Sequence, residues 1–311
     1  MFQENIIITE KDVNERVDKF LNATFPDFTR SFIQKAIKNG EILLNGQNVK
    51  ANYKLKLNDS IELNINDPVE LEIEPEDIPL DILYEDDDVL IVNKPKNMVV
   101  HPSAGHLSHT LVNAIMFHCK DSLSGINGVI RPGIVHRIDM NTTGSLIICK
   151  NDLSHTDIAE QIKEHSVNRI YVGLVYGQLK EDDGTIEGPI GRNPNDRKKM
   201  AINYKNGKPA ITHYHVLERF NEYTYVRFKL ETGRTHQIRV HMASIGHPLV
   251  GDDVYSNVKK CKFKHLEGQC LHAQTIGFVH PSTKEYVEFS APLPDYLDKL
   301  LNTLRINEHK G

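Results

Sequence analysis

The stretch His136-Arg137-Ile138-Asp139-Met140-Asn141-Thr142-Thr143-Gly144 decides how the rest of the chain is read. It is entered from Arg131-Pro132-Gly133-Ile134-Val135 and left through the apolar run Ser145-Leu146-Ile147-Ile148-Cys149. A strand cannot comfortably bury an arginine and an aspartate with one residue between them. The segment therefore reads as a loop held between apolar segments, the usual location of a site. The same residue types also suit a hydrogen-bonded turn in which Asp139 caps local amides.

A second polar cluster changes that balance. Leu230-Glu231-Thr232-Gly233-Arg234-Thr235-His236-Gln237-Ile238-Arg239-Val240-His241-Met242 places two arginines and two histidines at the end of an alternating strand. Alone it reads as a basic patch on a helix. Beside the first cluster it supplies two guanidinium partners, Arg234 and Arg239, for one carboxylate. Around these clusters the chain alternates as strands do in Tyr171 to Val175 and Thr224 to Leu230, and Val89 to Val92 reads as a buried strand that Pro95 ends. Helices fit Thr110 to Cys119 and Ser154 to Glu164. With no regular βαβ rhythm, the expected class is α+β.

Residues 1–66 read as a separate small unit. Arg16, Val17, Phe20 and Leu21 have helical spacing, and Ser31 is placed to cap a second helix that stops at Asn39-Gly40. Asn45-Gly46 between apolar runs marks a hairpin, and Ser60 to Ile65 alternates as a closing strand. Arg16, Lys19, Arg30, Lys35 and Lys38 lie in or beside the two helices, either as a solvated face or as an RNA-binding surface. An acidic, proline-punctuated linker is expected over 67–79, and a second domain over 80–311.

The 311 residues carry a net charge of −5. Eleven acids and no Lys or Arg fall between Asp67 and Asp88, so the remainder is net +6, which suits a polyanionic partner. Arg192, Arg197, Lys198, Lys199, Lys205 and Lys208 put six positive charges into seventeen residues of a Gly/Pro-marked loop. That loop is either a solvated hairpin or a grip on phosphates. Four scattered cysteines argue against a disulfide framework. No apolar run is long enough to span a bilayer, and the N-terminus lacks a signal-peptide pattern, so a cytoplasmic protein is expected. Cys261, His265, Cys270 and His272 have the residue types of a zinc site but not a standard spacing.

His136 to Gly144 resembles the HRLD-x-x-TSG signature of RluA-type pseudouridine synthases. Asn168 to Gly177 resembles that family's tyrosine-bearing strand, Thr232 to His241 its TGRTHQIRVH segment, and Gly246 to Asp252 the following loop. Gln269 to Ala273 and His280-Pro281 match its closing strands. Residues 1–66 resemble the small RNA-binding S-four domain, through Arg16-Val17-Asp18, Thr29-Arg30-Ser31 and Asn39 to Gly46. Ile138 and Thr143 depart from the usual Leu and Ser, and Arg30 precedes Ser31 in reverse of the usual order.

The resemblance implies a mixed, mainly antiparallel catalytic domain behind a small α/β RNA-binding module, as in the RluD-like enzymes of large-subunit ribosomal RNA. It implies isomerisation of uridine to pseudouridine by a monomer without metal or cofactor, on ribosomal RNA or a pre-ribosomal particle. Asp139 matches the catalytic carboxylate, attacking C1′ or removing a ribose proton to give a glycal. Arg239 matches its basic partner, with Arg234 as the second candidate, and Tyr171 matches the tyrosine that stacks on the base. Arg137 corresponds to the residue offered to the gap left by the flipped base, and Ile238 to part of the pocket floor. His136 and Thr143 complete the substrate-binding expectation, and Arg16, Arg30, Lys35, Arg192, Arg197, Lys198 and Lys199 the RNA-binding one. The alternative is a non-catalytic RNA-binding assembly factor of the same fold.

Overall fold

The computed structural model describes residues 2–26, 28–65, 73–102, 106–120, 122–126, 131–196, 199–256, 261–263 and 266–308. The chain forms two compact units, residues 1–71 and 72–311. In the first, strands β1 (Phe2–Ile7), β2 (Ile42–Leu44), β3 (Gln47–Asn48) and β4 (Ser60–Ile65) form an antiparallel sheet in the order β1-β4-β2-β3. Helices α1 (Val17–Thr24) and α2 (Arg30–Asn39) bury Val17, Phe20, Leu21, Ile33 and Ile37 in one core with Ile42, Ile61 and Leu63. Asn45 and Gly46 both take positive φ, as the two-residue hairpin turn requires. The cap of α2 is Thr29, whose hydroxyl accepts from the Phe32 amide; Ser31, expected in that role, already lies inside the helix.

Asp18 is buried at the start of α1. It accepts from Arg16 Nε (2.9 Å), from Arg30 Nε and Nη2 (3.0 and 2.9 Å) and from Gln34 Nε2 (2.7 Å). Burial works against its charge, but these donors overcome it and hold the carboxyl down at about 2. Two arginines expected to face RNA are thus aimed by one internal carboxylate, while Lys35 is exposed.

The second unit is built on one large sheet from β5 (Ile82–Glu85), β6 (Val89–Lys94), β7 (Thr143–Cys149), β8 (Asn168–Tyr176), β9 (Asp183–Glu187), β12 (Ile211–Arg219), β13 (Tyr223–Leu230), β14 (Leu271–Val279) and β15 (Tyr286–Ser290). Its order is β5-β6-β7-β14-β8-β13-β12-β9, with β15 also on β14. β10 (Ile190–Arg192) and β11 (Met200–Ile202) form a separate hairpin. Every pair is antiparallel except β7 with β14. There Gly144, at φ +111°, stands where a Cβ would come within 2.2 Å of the Ala273 carbonyl, so only glycine fits.

Both faces of this sheet are covered, which is why β7 is buried throughout. The two-residue period sends Leu90, Val92, Leu146 and Ile148 to one core, against Leu111 and Ile115 of α3 (Leu111–Cys119). It sends Val89, Ile91, Ile147 and Cys149 to the other, against Ile158 of α4 (Asp152–Lys163). The remaining helices are α5 (Gln237–Ser244) and α6 (Asp295–Glu308); Leu297, Leu300 and Leu301 of α6 cover Val172 and Leu174. Of the acidic segment expected as a linker, residues 73–79 are described. Ile73 joins the first core with Ile78 and Leu80 packed on it, and Glu76 N donates to the Asn113 carbonyl, so apolar residues between the acids fasten this segment to the second unit.

Candidate active site

The loop of residues 133–142 runs beside β7 and is pinned to it. Cys149 N donates to the Gly133 carbonyl, Ile147 N to His136 Nε2 (3.0 Å), and Gln269 Nε2 to Thr142 Oγ1 (3.0 Å). Lys94, buried at the end of β6, gives its ammonium to the carbonyls of Pro95, Met98 and Met140 at 2.7, 2.8 and 2.9 Å. Burial pushes this lysine down to about 7, against the charge of Asp139 and against three acceptors that match its three N–H groups. The Met140 contact fixes the backbone next to Asp139.

The second cluster is tied down by Gln237. Its Oε1 accepts from Thr232 Oγ1 and Arg234 N, and its Nε2 donates to Ile211 O and Thr212 Oγ1. That anchors the start of α5, from which Arg239 reaches inward. Arg239 Nε and Nη2 donate to Asp252 Oδ2 and Oδ1 (2.7 and 2.9 Å), and Nη1 donates to Asp139 Oδ2 (3.0 Å). Burial opposes the guanidinium charge, but the two carboxylates outweigh it and raise its pKa. Asp252 is itself held by the amides of Val254 and Tyr255. His236, at φ +57°, places Nδ1 2.8 Å from Tyr255 Oη and Nε2 3.8 Å from Asp139 Oδ1, and burial keeps its pKa low.

Asp139, His236, Gln237 and Arg239 border a shallow cavity of about 50 Å³ lined also by Arg137, Thr142, Tyr171, Arg234 and Ile238. Ile138, Tyr171, Leu230, Ile238 and Leu271 belong to the first core and continue as the cavity's apolar floor. Tyr171 sits on β8 between Phe228 and Ala273 in register, and burial raises its pKa. Arg137, Asp139, Tyr171, Arg234, Ile238 and Arg239, with Asp139 and Arg239 100 residues apart, are thus brought together.

Two expected members are not. Thr143 lies inside β7 with Oγ1 2.8 Å from His272 Nδ1, and its neighbour Thr142 lines the cavity instead. His136 turns behind the loop to accept the Ile147 amide, and burial pushes it down to about 3. Arg192 stands on β10, outside the cavity, and Lys199 is exposed only in part, 4.0 Å from Asp196; Arg197, Lys198 and His265 lie outside the described residues. Lys94, Asp252 and Tyr255 were missed. A lysine ending a buried apolar strand, and an aspartate closing the Gly246 to Asp252 loop, were the available signals.

Asp86, Asp88 and His280 also stand together. Asp86 accepts from the amides of Asp88 and Val89, from Tyr84 Oη and from His280, so the cluster closes the β5–β6 turn. No helix among the described residues is long and apolar enough to cross a membrane.

A family model for RNA pseudouridylate synthases matches residues 88–244, and one for the S4 domain matches residues 15–61. An uncharacterized RNA pseudouridine synthase of Bacillus subtilis is 51% identical over 307 residues, covering 99% of this chain and 100% of that protein. The ribosomal large subunit pseudouridine synthase D of Escherichia coli is 38% identical over 316 residues, covering 97% of this chain and 95% of that one. The solved structure of human RNA pseudouridylate synthase domain containing 1 covers 77% of this chain and 98% of its own, at 28% identity and a TM-score of 0.57. With the matched residues forming most of the sheet and of the cleft, this chain belongs to the RluA-type RNA pseudouridine synthases, intramolecular isomerases of uridine, and carries an N-terminal S4 domain.

Proposed function

We propose that Asp139 is the catalytic carboxylate and that the substrate is large-subunit ribosomal RNA, free or in a pre-ribosomal particle. The observation that carries the assignment is the asymmetry around Arg239. Two of its nitrogens are locked on Asp252, so the third presents a fixed donor to Asp139 Oδ2 and leaves Oδ1 with no hydrogen bond among the described residues. An aimed carboxylate with one open oxygen suits either attack on C1′ or removal of a ribose proton. Arg239 is then the positioning partner of Asp139. Tyr171 stacks on the flipped uracil, Ile238 floors the pocket, and Arg137 at its exposed edge occupies the gap in the RNA.

The ribosomal target is favoured by the relatives named for large-subunit activity, at 38 to 41% identity over nearly the full chain. Arg16, Arg30 and Lys35 of the S4 domain add affinity through phosphates. Tritium release from large-subunit RNA labelled at uridine C5 tests both parts. Wild type is expected to release label, and Asp139→Asn to lose at least about a thousandfold of the rate while binding RNA as tightly. Release from transfer RNA alone would refute the target, and an active Asp139→Asn would refute the carboxylate.

A further inference from the structure

A second cleft, of about 520 Å³, adjoins the first between residues 135–137, the C-terminal end of α4 and the turn at Gly233-Arg234. It shares Arg137, Tyr171, Leu230 and Arg234 with the active-site cavity. Its charged lining is Arg137, Lys163, Arg169 and Arg234, with no carboxylate among its lining residues. Lys163 is exposed and paired with Glu160, so the permanent inner charges are the three arginines. The carbonyls that end α4 do not cancel them, because those of Glu160, Gln161 and Ile162 are taken by the amides of Glu164, Ser166 and His165.

Arg169 is the unusual member. It is only 6% exposed, yet no described carboxylate pairs with it. Nη2 donates to the Glu231 carbonyl at 2.9 Å, and Nε is buried with no hydrogen-bond partner among the described residues. Gly233 makes room for this guanidinium, since a Cβ there would stand 2.5 Å from Nη1. A buried charge without a counter-ion is costly, and a fold that keeps one at the wall of a cleft recovers that cost when an anion enters. His136 adds a neutral donor: Nε2 accepts the Ile147 amide, so its ring hydrogen is on Nδ1.

We infer that this cleft is a phosphate subsite, which binds one phosphodiester of the RNA strand next to the flipped uridine through Arg169 and Arg234. The inference rests on the reading of Asp139 and Tyr171 given above, because Tyr171 is the wall between base pocket and subsite. Its chemistry is that of a guanidinium fork meeting non-bridging phosphate oxygens. It holds the strand on one side of the base and so sets the register in which the uridine reaches Asp139.

The test uses the full-length Asp139→Asn chain and nine-nucleotide RNAs with one central uridine among cytidines. A single neutral methylphosphonate linkage is walked along the strand, and binding is followed by fluorescence anisotropy. One linkage adjacent to the uridine is expected to weaken binding about tenfold, and distant linkages less than about twofold. Adding Arg169→Met should abolish this position dependence, and Arg234→Gln, at the more exposed edge, should reduce it if the Met variant does not fold. Equal losses at every linkage, or a position effect that survives both substitutions, would overturn the subsite. Turnover by wild type is scored in a separate assay, so a wrong catalytic assignment and a wrong subsite fail different measurements.

Discussion

The two units each contain an aspartate bound to arginine, and they use the pair in opposite ways. In the S4 domain one buried carboxylate, Asp18, gathers Arg16, Arg30 and Gln34, and both of its oxygens are occupied. In the catalytic unit one buried guanidinium, Arg239, bridges two carboxylates, and the more exposed of them, Asp139, has one oxygen with no hydrogen bond among the described residues. The first arrangement spends the acid to orient cations whose side chains stay about 40% exposed. The second spends a cation and a fully buried acid to orient one cleft-facing carboxylate. On the proposed reading, saturation marks the structural pair and the open valence the chemical one.

Asp252→Asn should break the second arrangement most severely. It removes the acid that fixes Arg239, so Asp139 loses its aim without losing its charge. Turnover at saturating RNA is expected to fall about 10- to 100-fold with KM nearly unchanged, and stability to fall by about 3 kcal/mol. Single-turnover kinetics and urea unfolding check this. Unchanged kcat would mean that Asp139 is held by the loop alone.

A smaller effect is expected from Asp18→Ala. Arg16 and Arg30 can turn to water when their acceptor is lost, so the S4 domain should lose only about 1 to 3 kcal/mol. RNA affinity should weaken and its salt dependence change as the two guanidinium groups lose register, while kcat at saturation stays within about twofold. Filter binding across a salt series separates these. A fall in kcat instead would tie the S4 domain to the chemical step.

The smallest effect concerns His136 behind the catalytic loop. Its folded pKa is about 3, and those of His101 and His272 are about 4, against an ordinary value of 6.5. Between pH 6.5 and those values the unfolded chain takes up protons that the folded one refuses. Stability is therefore lost as pH falls through this window, by at most about 1.4 kcal/mol per pH unit for each histidine. His136→Gln, which retains an acceptor for the Ile147 amide, should flatten the slope between pH 6 and 4. Urea midpoints across that range measure it, and an unchanged slope would mean that His136 is already charged in the folded protein.

The strands and helices were largely legible because burial on both sheet faces writes itself as apolar runs and alternation, as in β6, β7 and β13. Boundaries were less so. Thr29 rather than Ser31 caps α2, because hydroxyls two positions apart offer the same local chemistry and the helix start is settled by packing. The docking of Ile73 is not legible, because the acids and prolines around it mask a single isoleucine. Within the site, Asp139, Tyr171 and Arg239 could be picked out by resemblance to a family. Lys94 and Asp252 could not, since their roles lie in what they hold and neither need touch substrate.

Residue order and type by themselves determined two domains, an α+β class, and the polar clusters His136 to Gly144 and Leu230 to Met242 that meet at the cleft. Only the tertiary structure decided which of those polar groups face the cleft, which are spent behind it, and that Arg169 beside it has no carboxylate partner among the described residues. The physical reason is that a side chain's function depends on which of its donors and acceptors are already satisfied. That is set by neighbours distant in sequence, as Asp252 is from Asp139, and periodicity along the chain does not record them.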